Sequence, residues 1–341
     1  MRFATYNIEW FDALFDKDGG LLLDGQWSRR RDTTRVQQLE AVAKVFAAMD
    51  ADAVMVIEAP DESHRRDGEK ALENFAAHFG LRTRTALVGF QNNTQQEIAL
   101  LFDPDVMSAR HDPKGEQTGK KGSSDSPRFD GVFRRDLDVD AAPELITFSK
   151  PPLEVAIETN TSKALRLIGV HIKSKAPHGA RGKVEIMRKA IENRRKQMAQ
   201  CIWLRQRVEE HLAADESVMV LGDFNDGPGL DEYEKLFGRS SVEIVLGEDG
   251  EGCLFDPHAH MILGRKLGAK PATSRFYIKH EKRYLSVLLD YIMVSADLRL
   301  KKPSWRIWHP FEDPECYHMP ELRDALLAAS DHFPVTIDID L

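Results

Sequence analysis

Cysteine is scarce: Cys201, Cys253 and Cys316 are the only three in 341 residues, far apart, odd in number and without a C-x-x-C pair. This excludes a disulfide framework and predicts reduced thiols in a cytoplasmic setting. No apolar run approaches the roughly 18 residues of a membrane helix, and Glu9 and Asp12 fall where a signal peptide would need its apolar stretch. A soluble cytoplasmic protein, with no membrane contact and no obligate protein partner, is expected. Positive charge is not in excess either. Forty-seven basic against 55 acidic residues leave −8, which argues against non-specific coating of nucleic acid but leaves room for a local basic groove. Walker, G-x-G-x-x-G and G-x-S-x-G motifs are all missing, and no cysteine has an obvious histidine partner.

What is present is a globular balance, 42% hydrophobic and 30% charged, which excludes disorder and collagen. The length allows two domains of about 150 residues or one large α/β domain. A strand is expected at Phe3 to Tyr6, then a helix from Thr33 with Asp32 as cap, and a buried strand at Ala53 to Ile57. Leu72, Phe75 and Phe79 form a helical stripe closed by Gly80, followed by a strand at Ile98 to Phe102. Residues 107 to about 149 are polar and aperiodic and are expected as a loop insertion. Strands at Leu153 to Ile157 and Leu165 to Val170, a long helix over Val184, Met187, Ile191, Met198, Cys201, Val208 and Leu212, and a strand at Val218 to Leu221 come next. The last third reads as mainly strands, at Val242 to Leu246, Leu288 to Val294, Ser304 to Trp308 and Val335 to Ile339.

Several strands end in a polar residue: Asn7, Glu58, Asp223 with Asn225, and Asp331 with His332 ahead of Val335. Any one of these is an ordinary strand end or turn. Together with His171 they form the inventory that a hard divalent cation and hydrolysis at phosphorus require: carboxylate and amide oxygens, a residue to activate water, and hydrogen-bond donors.

The strings Thr5-Tyr6-Asn7-Ile8, Ile57-Glu58, Gly169-Val170-His171, Gly222-Asp223-Phe224-Asn225, Asp290-Tyr291-Ile292 and Ser330-Asp331-His332-Phe333-Pro334 occur in this order over nearly the whole chain. The sequence thereby resembles the endonuclease/exonuclease/phosphatase superfamily of deoxyribonuclease I-like metal-dependent phosphoesterases. The resemblance implies one domain over residues 1–341, an α/β four-layered sandwich of two packed, mainly antiparallel sheets with helices outside. It further implies Mg²⁺, with Mn²⁺ able to substitute, held by Glu58, Asn7 and Asp331. Asp223 would activate water, Asn225 would hydrogen-bond the phosphate, and His171 and His332 would stabilise the transition state. Asp290 would hold the tautomer of His332, and Glu97 would pair with His171 and raise its pKa.

Nine basic residues lie between Lys173 and Lys196 against two acidic ones. Lys173, Lys175 and Lys150 are the expected substrate contacts, with Arg29, Arg30 and Arg31 as further basic candidates. Trp305, Trp308 and His309 could stack on a base or simply pack. The leading expectation is an intracellular, Mg²⁺-dependent nuclease acting on DNA or RNA without strong sequence specificity. The alternative is a phosphatase or phosphodiesterase for a small phosphorylated metabolite, inositol phosphate or lipid head group.

Overall fold

Strand β1 (Arg2–Asn7) is buried over most of its length and pairs in parallel with β2 (Ala53–Ala59). A parallel pair needs a crossover, and α1 (Arg35–Met49) supplies it. Thr34 caps this helix through a reciprocal capping box with Gln37. Asp32, the expected cap, instead has a left-handed backbone (φ 57°) that cannot serve as the extended cap position. Helix α2 (Gly68–Phe79) is closed by Gly80 at φ 64°, as its position predicts. Strands β3 (Thr85–Val88) and β4 (Glu97–Phe102) extend the sheet antiparallel to β2. The structure is a computed structural model; it describes all residues except 93, 137–142, 178, 229–233, 249, 251, 265–269 and 279–281, and not the side chains of 234 and 235.

The segment expected as a loop insertion carries strands. Strand β5 (Met107–His111) forms an edge of the second sheet, and β6 (Phe133–Arg135) pairs with β7 (Glu144–Ile146); residues 137–142 lie outside the described residues. These strands are short and half exposed, so they lack the apolar run that marks a buried strand. Phe129, Phe133 and Phe148 anchor the segment around the buried Trp203.

Strands β8 (Leu153–Thr159) and β9 (Ala164–His171), helix α3 (Lys183–Ala213) and strand β10 (Val218–Asp223) repeat the earlier pattern, with β10 parallel to β9. The first turns of α3 are exposed, Val184 and Met187 included, so the core-facing stripe begins further along than its apolar spacing predicts.

Helices α4 (Glu234–Phe237), α5 (Ser241–Leu246) and α6 (Pro257–Gly264) follow. The expected strand at Val242 to Leu246 is therefore helical, nucleated by a capping box between Ser240 and Glu243. Strands β11 (Ser274–Ile278) and β12 (Arg283–Val287) form a separate antiparallel pair. The chain closes with β13 (Asp290–Val294), α7 (Ala296–Leu300), β14 (Ser304–Ile307), α8 (Pro314–His318), α9 (Pro320–Ala329) and β15 (Val335–Asp338). Among the described residues the last third is thus more helical than stranded. Its helices are mostly short, and α8 and α9 are set by Pro at their first turns rather than by a long periodic stripe.

The first sheet runs β14-β15-β1-β2-β4-β3 and the second β13-β10-β9-β8-β5; each is antiparallel except for its one parallel pair. Phe3, Met55 and Leu100 of the first sheet meet Val155, Leu167 and Leu221 of the second in one core. The opposite face of the first sheet packs on α1, α2 and α9, and that of the second on α3, α5 and α6. The result is a four-layered α/β sandwich, as the resemblance implies. Trp308 is buried in this packing with its Nε1 on Thr336 Oγ1, and Trp305 Nε1 bonds Ile292 O, so both tryptophans are structural.

Candidate active site

A parallel pair ends at one edge of its sheet, so β1 and β2 deliver Asn7 and Glu58 together, and β9 and β10 deliver His171 and Asp223. The two edges meet: Asn7 Nδ2 donates to Asp223 Oδ2 at 3.0 Å across the sandwich. Within the second sheet Asp223 stands in register between His171 on β9 and Asp290 on β13. Glu58 sits at a β-bulge with φ 62°, which turns its carboxylate away from the strand's alternation toward the sheet end.

Asn7, Glu58, Lys150, His171, Lys175, Asp223, Asn225, Asp331 and His332 all line one cavity of about 670 Å³. Nine of the twelve expected site residues therefore converge. Asp290 lies behind His332, its Oδ2 2.8 Å from His332 Nδ1. Glu97 and Lys173 do not line the cavity.

Asp223 is held by three donors: the backbone N–H of Asn225 at 2.7 Å, Asn225 Nδ2 at 3.2 Å and Asn7 Nδ2 at 3.0 Å. Burial still pushes its carboxyl up to about 7. The Asn225 amide also donates to Ile172 O at 3.1 Å, so in this structure both its N–H groups serve protein acceptors rather than facing a phosphate. Burial would lower His332, but the charge and hydrogen bond of Asp290, with Asp223 and Asp331 beyond, hold it well above the ordinary histidine range. Burial likewise raises Asp331 to about 6.

His171 departs from the expected arrangement. Lys150 Nζ, not Glu97, meets its Nδ1 at 3.1 Å, and burial together with the Lys150 charge depresses its pKa. Glu97 Oε2 accepts from Asn92, and burial raises its carboxyl to about 8. It is a buried acid at the first residue of β4. The ammonium donates to Nδ1, which places the imidazole proton on Nε2, 3.6 Å from Asp223 Oδ2.

The basic run after His171 is not one continuous surface. Arg194 is buried at 3.5 Å from Asp226, Lys175 Nζ pairs with the same carboxylate, and Arg195 pairs with Glu144. Burial and the charges of Lys196 and Lys189 lower the Lys173 pKa.

Two features have no counterpart in the sequence reading. Gln96 bridges the site, its Nε2 donating to Glu58 Oε2 at 2.6 Å while its Oε1 accepts from Lys150 Nζ at 2.8 Å. The pair β11–β12 builds an apolar wall from Phe276, Leu285 and Val287; its alternating pattern was the available signal.

Oxygen donors fit a hard cation here. Glu58 and Asp331 face the cavity, and Asn7 Oδ1 is buried with no protein partner among the described residues. Asp223, Asp290 and His332 also bring ligand atoms within 4.8 Å, but these atoms are engaged with one another and with the asparagines, as in a proton-holding network.

A sandwich with these residues at its strand ends is the architecture of a phosphoesterase. The family model of the Endonuclease/Exonuclease/phosphatase family matches residues 4–332, and the chain belongs to that family. Its fold is similar to TDP2 from Caenorhabditis elegans (16% identity, 98% of this chain and 96% of that chain, TM-score 0.51). It is also similar to an AP endonuclease from Archaeoglobus fulgidus (11%, 100% of both chains, 0.51) and to an endonuclease/exonuclease/phosphatase from Bacteroides vulgatus (15%, 100% and 98%, 0.50). No curated protein matches the sequence. Among the described residues, no helix is long and apolar enough to cross a membrane.

Proposed function

We propose that this chain is a divalent-cation-dependent phosphodiesterase, a nuclease that acts on DNA or RNA without strong sequence preference, and that its 341 residues work as one domain. The observation that carries the chemistry is Asp223, raised toward neutrality by burial and fixed by Asn7 and Asn225 between two histidines of opposite character. The single-domain reading rests on a site drawn from both sheets and from both ends of the chain.

Glu58, Asn7 and Asp331 would hold Mg²⁺, or Mn²⁺ in its place. When bound, the cation supplies charge neutralisation on the phosphoryl oxygens. Asp223 orients the attacking water and takes its proton, a task suited to a base near neutrality. Asn225 positions Asp223. His171, neutral with its proton on Nε2, donates a hydrogen bond, and His332, charged against Asp290, offsets the negative charge that develops in the transition state. Similarity in fold to an AP endonuclease supports the nucleic-acid reading. The apolar wall of Phe276, Leu285 and Val287 favours the second reading, a small phosphoester with an apolar or polyol body.

The test is hydrolysis of plasmid DNA, single-stranded DNA and RNA beside small phosphodiesters and phosphomonoesters, with Mg²⁺ and with chelator. Chelator-sensitive nicking that Asp223→Asn abolishes supports the nuclease. Turnover confined to the small esters selects the second reading, and near-wild-type turnover by Asp223→Asn overturns the role of Asp223.

A further inference from the structure

A second cavity of about 710 Å³ adjoins the first and shares Glu9, Phe276 and Asp331 with it. It lies between the loop bearing Arg29 to Thr33, the pair β11–β12 and the end of α9. Its cations are not equivalent. Arg30 is locked structurally, paired with Glu9 and bonded to Leu327 O. Arg31 stacks on Tyr277 with its guanidinium carbon 4.0 Å from the ring centre, and its Nε donates at 3.0 Å to Asp32, which is largely exposed. Arg275 stacks at 3.6 Å on Tyr284 and at 5.3 Å on Phe311, and no carboxylate among the described residues lies within ion-pair distance of it. The rings of Tyr277 and Tyr284 are themselves 5.1 Å apart, so the two rings stand side by side along one wall with a guanidinium on each.

An arginine stacked by its face presents its in-plane N–H edge to the groove, and that edge matches a phosphate; Arg31 Nε is already shared with the exposed Asp32, so Arg275 carries most of the grip. The Arg275 backbone N–H is bonded to Asp331 O at 2.7 Å, which ties this wall to the reacting end of the first cavity. We propose that the groove is a second phosphate-binding subsite, in which Arg275 and Arg31 hold the phosphate next to the scissile one in a substrate that carries phosphates in series. This deepens the reading given above and rests on it. Each tyrosine already carries a guanidinium on one face, so the arginines are aimed at phosphate rather than at a base, and the grip works the same for every sequence.

The experiment compares a dinucleotide, which has only the scissile phosphate, with trinucleotides that add one phosphate on either side, and a cyclic polyol bearing one phosphate with one bearing two on neighbouring carbons. In the wild type, one of the added phosphates raises kcat/KM about tenfold, chiefly through KM. In Arg31→Gln/Arg275→Gln that gain shrinks below twofold, and Arg275→Gln alone removes most of it. A gain in the nucleotide series identifies a nucleic acid backbone as the source, and a gain confined to the polyol identifies a small polyphosphorylated substrate. A gain that survives in the double variant overturns the subsite. Should the wild type hydrolyse none of these, the phosphodiesterase reading fails, and binding decides the subsite separately. Labelled single-stranded DNA then loses affinity in the double variant, with the salt slope falling by about 0.7 per arginine, and an unchanged slope overturns it.

Discussion

Lys150 Nζ lies 3.1 Å from His171 Nδ1, in the place where a carboxylate was expected. A carboxylate would favour the charged imidazolium; the ammonium favours the neutral ring and fixes its proton on the nitrogen that faces Asp223. The two histidines of the site are thereby set apart, His332 charged against Asp290 and His171 neutral against Lys150.

Removing that ammonium should release His171. Lys150→Ala is expected to move the His171 pKa upward toward 6.5 and to lower kcat about 100-fold, the scale of losing one oriented donor. Histidine ¹⁵N shifts followed against pH check the first; a His171 titration unchanged from wild type would contradict it.

Gln96 reaches both Glu58 and Lys150, so it should act on cation affinity through the orientation of Glu58. For Gln96→Leu the Mg²⁺ concentration at half-maximal activity should rise about tenfold, while kcat at saturating Mg²⁺ changes less. Isothermal titration with Mn²⁺ gives an independent reading of the same loss.

Glu97 makes stability depend on pH. Its folded pKa of about 8 exceeds the unfolded value of 4.5, so the unfolded chain releases its proton first. The contribution is full below pH 4.5 and declines, by at most about 1.4 kcal/mol per unit, as pH rises toward 8. Glu97→Gln, which mimics the protonated acid, should melt higher than wild type at pH 8 and close to it at pH 4.5. Equal melting temperatures at pH 8 would show that Glu97 is ionised in the fold.

Gly222 has φ 141°, and a Cβ there would stand 2.0 Å from Val170 O. Gly222→Ala is expected to cost more than about 3 kcal/mol, because both the backbone conformation and the β9–β10 contact resist it. Urea unfolding measures this directly.

The ordered motifs let Asn7, Glu58, His171, Asp223, Asp290, Asp331 and His332 be named from the sequence, and the alternation of apolar runs with helical stripes marked β1, α1, β2, β9 and β10. Those strands are long, mostly buried and local in their signal. Short or half-exposed elements left a weaker pattern: β5, β6 and β7 read as loop, and α5 as a strand, because a six-residue stretch with four apolar positions fits either state until the Ser240 cap decides. Side-chain partnership is different in kind. The sequence determined by itself which groups the chain can offer and that they stand at strand ends. Whether Glu97 or Lys150 meets His171, that Gln96 joins Glu58 to Lys150, and that Arg275 stacks beside the site depended on the tertiary structure. Those contacts are set by a bulge, by the register of two parallel pairs and by the packing of two sheets, all of which join residues tens to hundreds of positions apart.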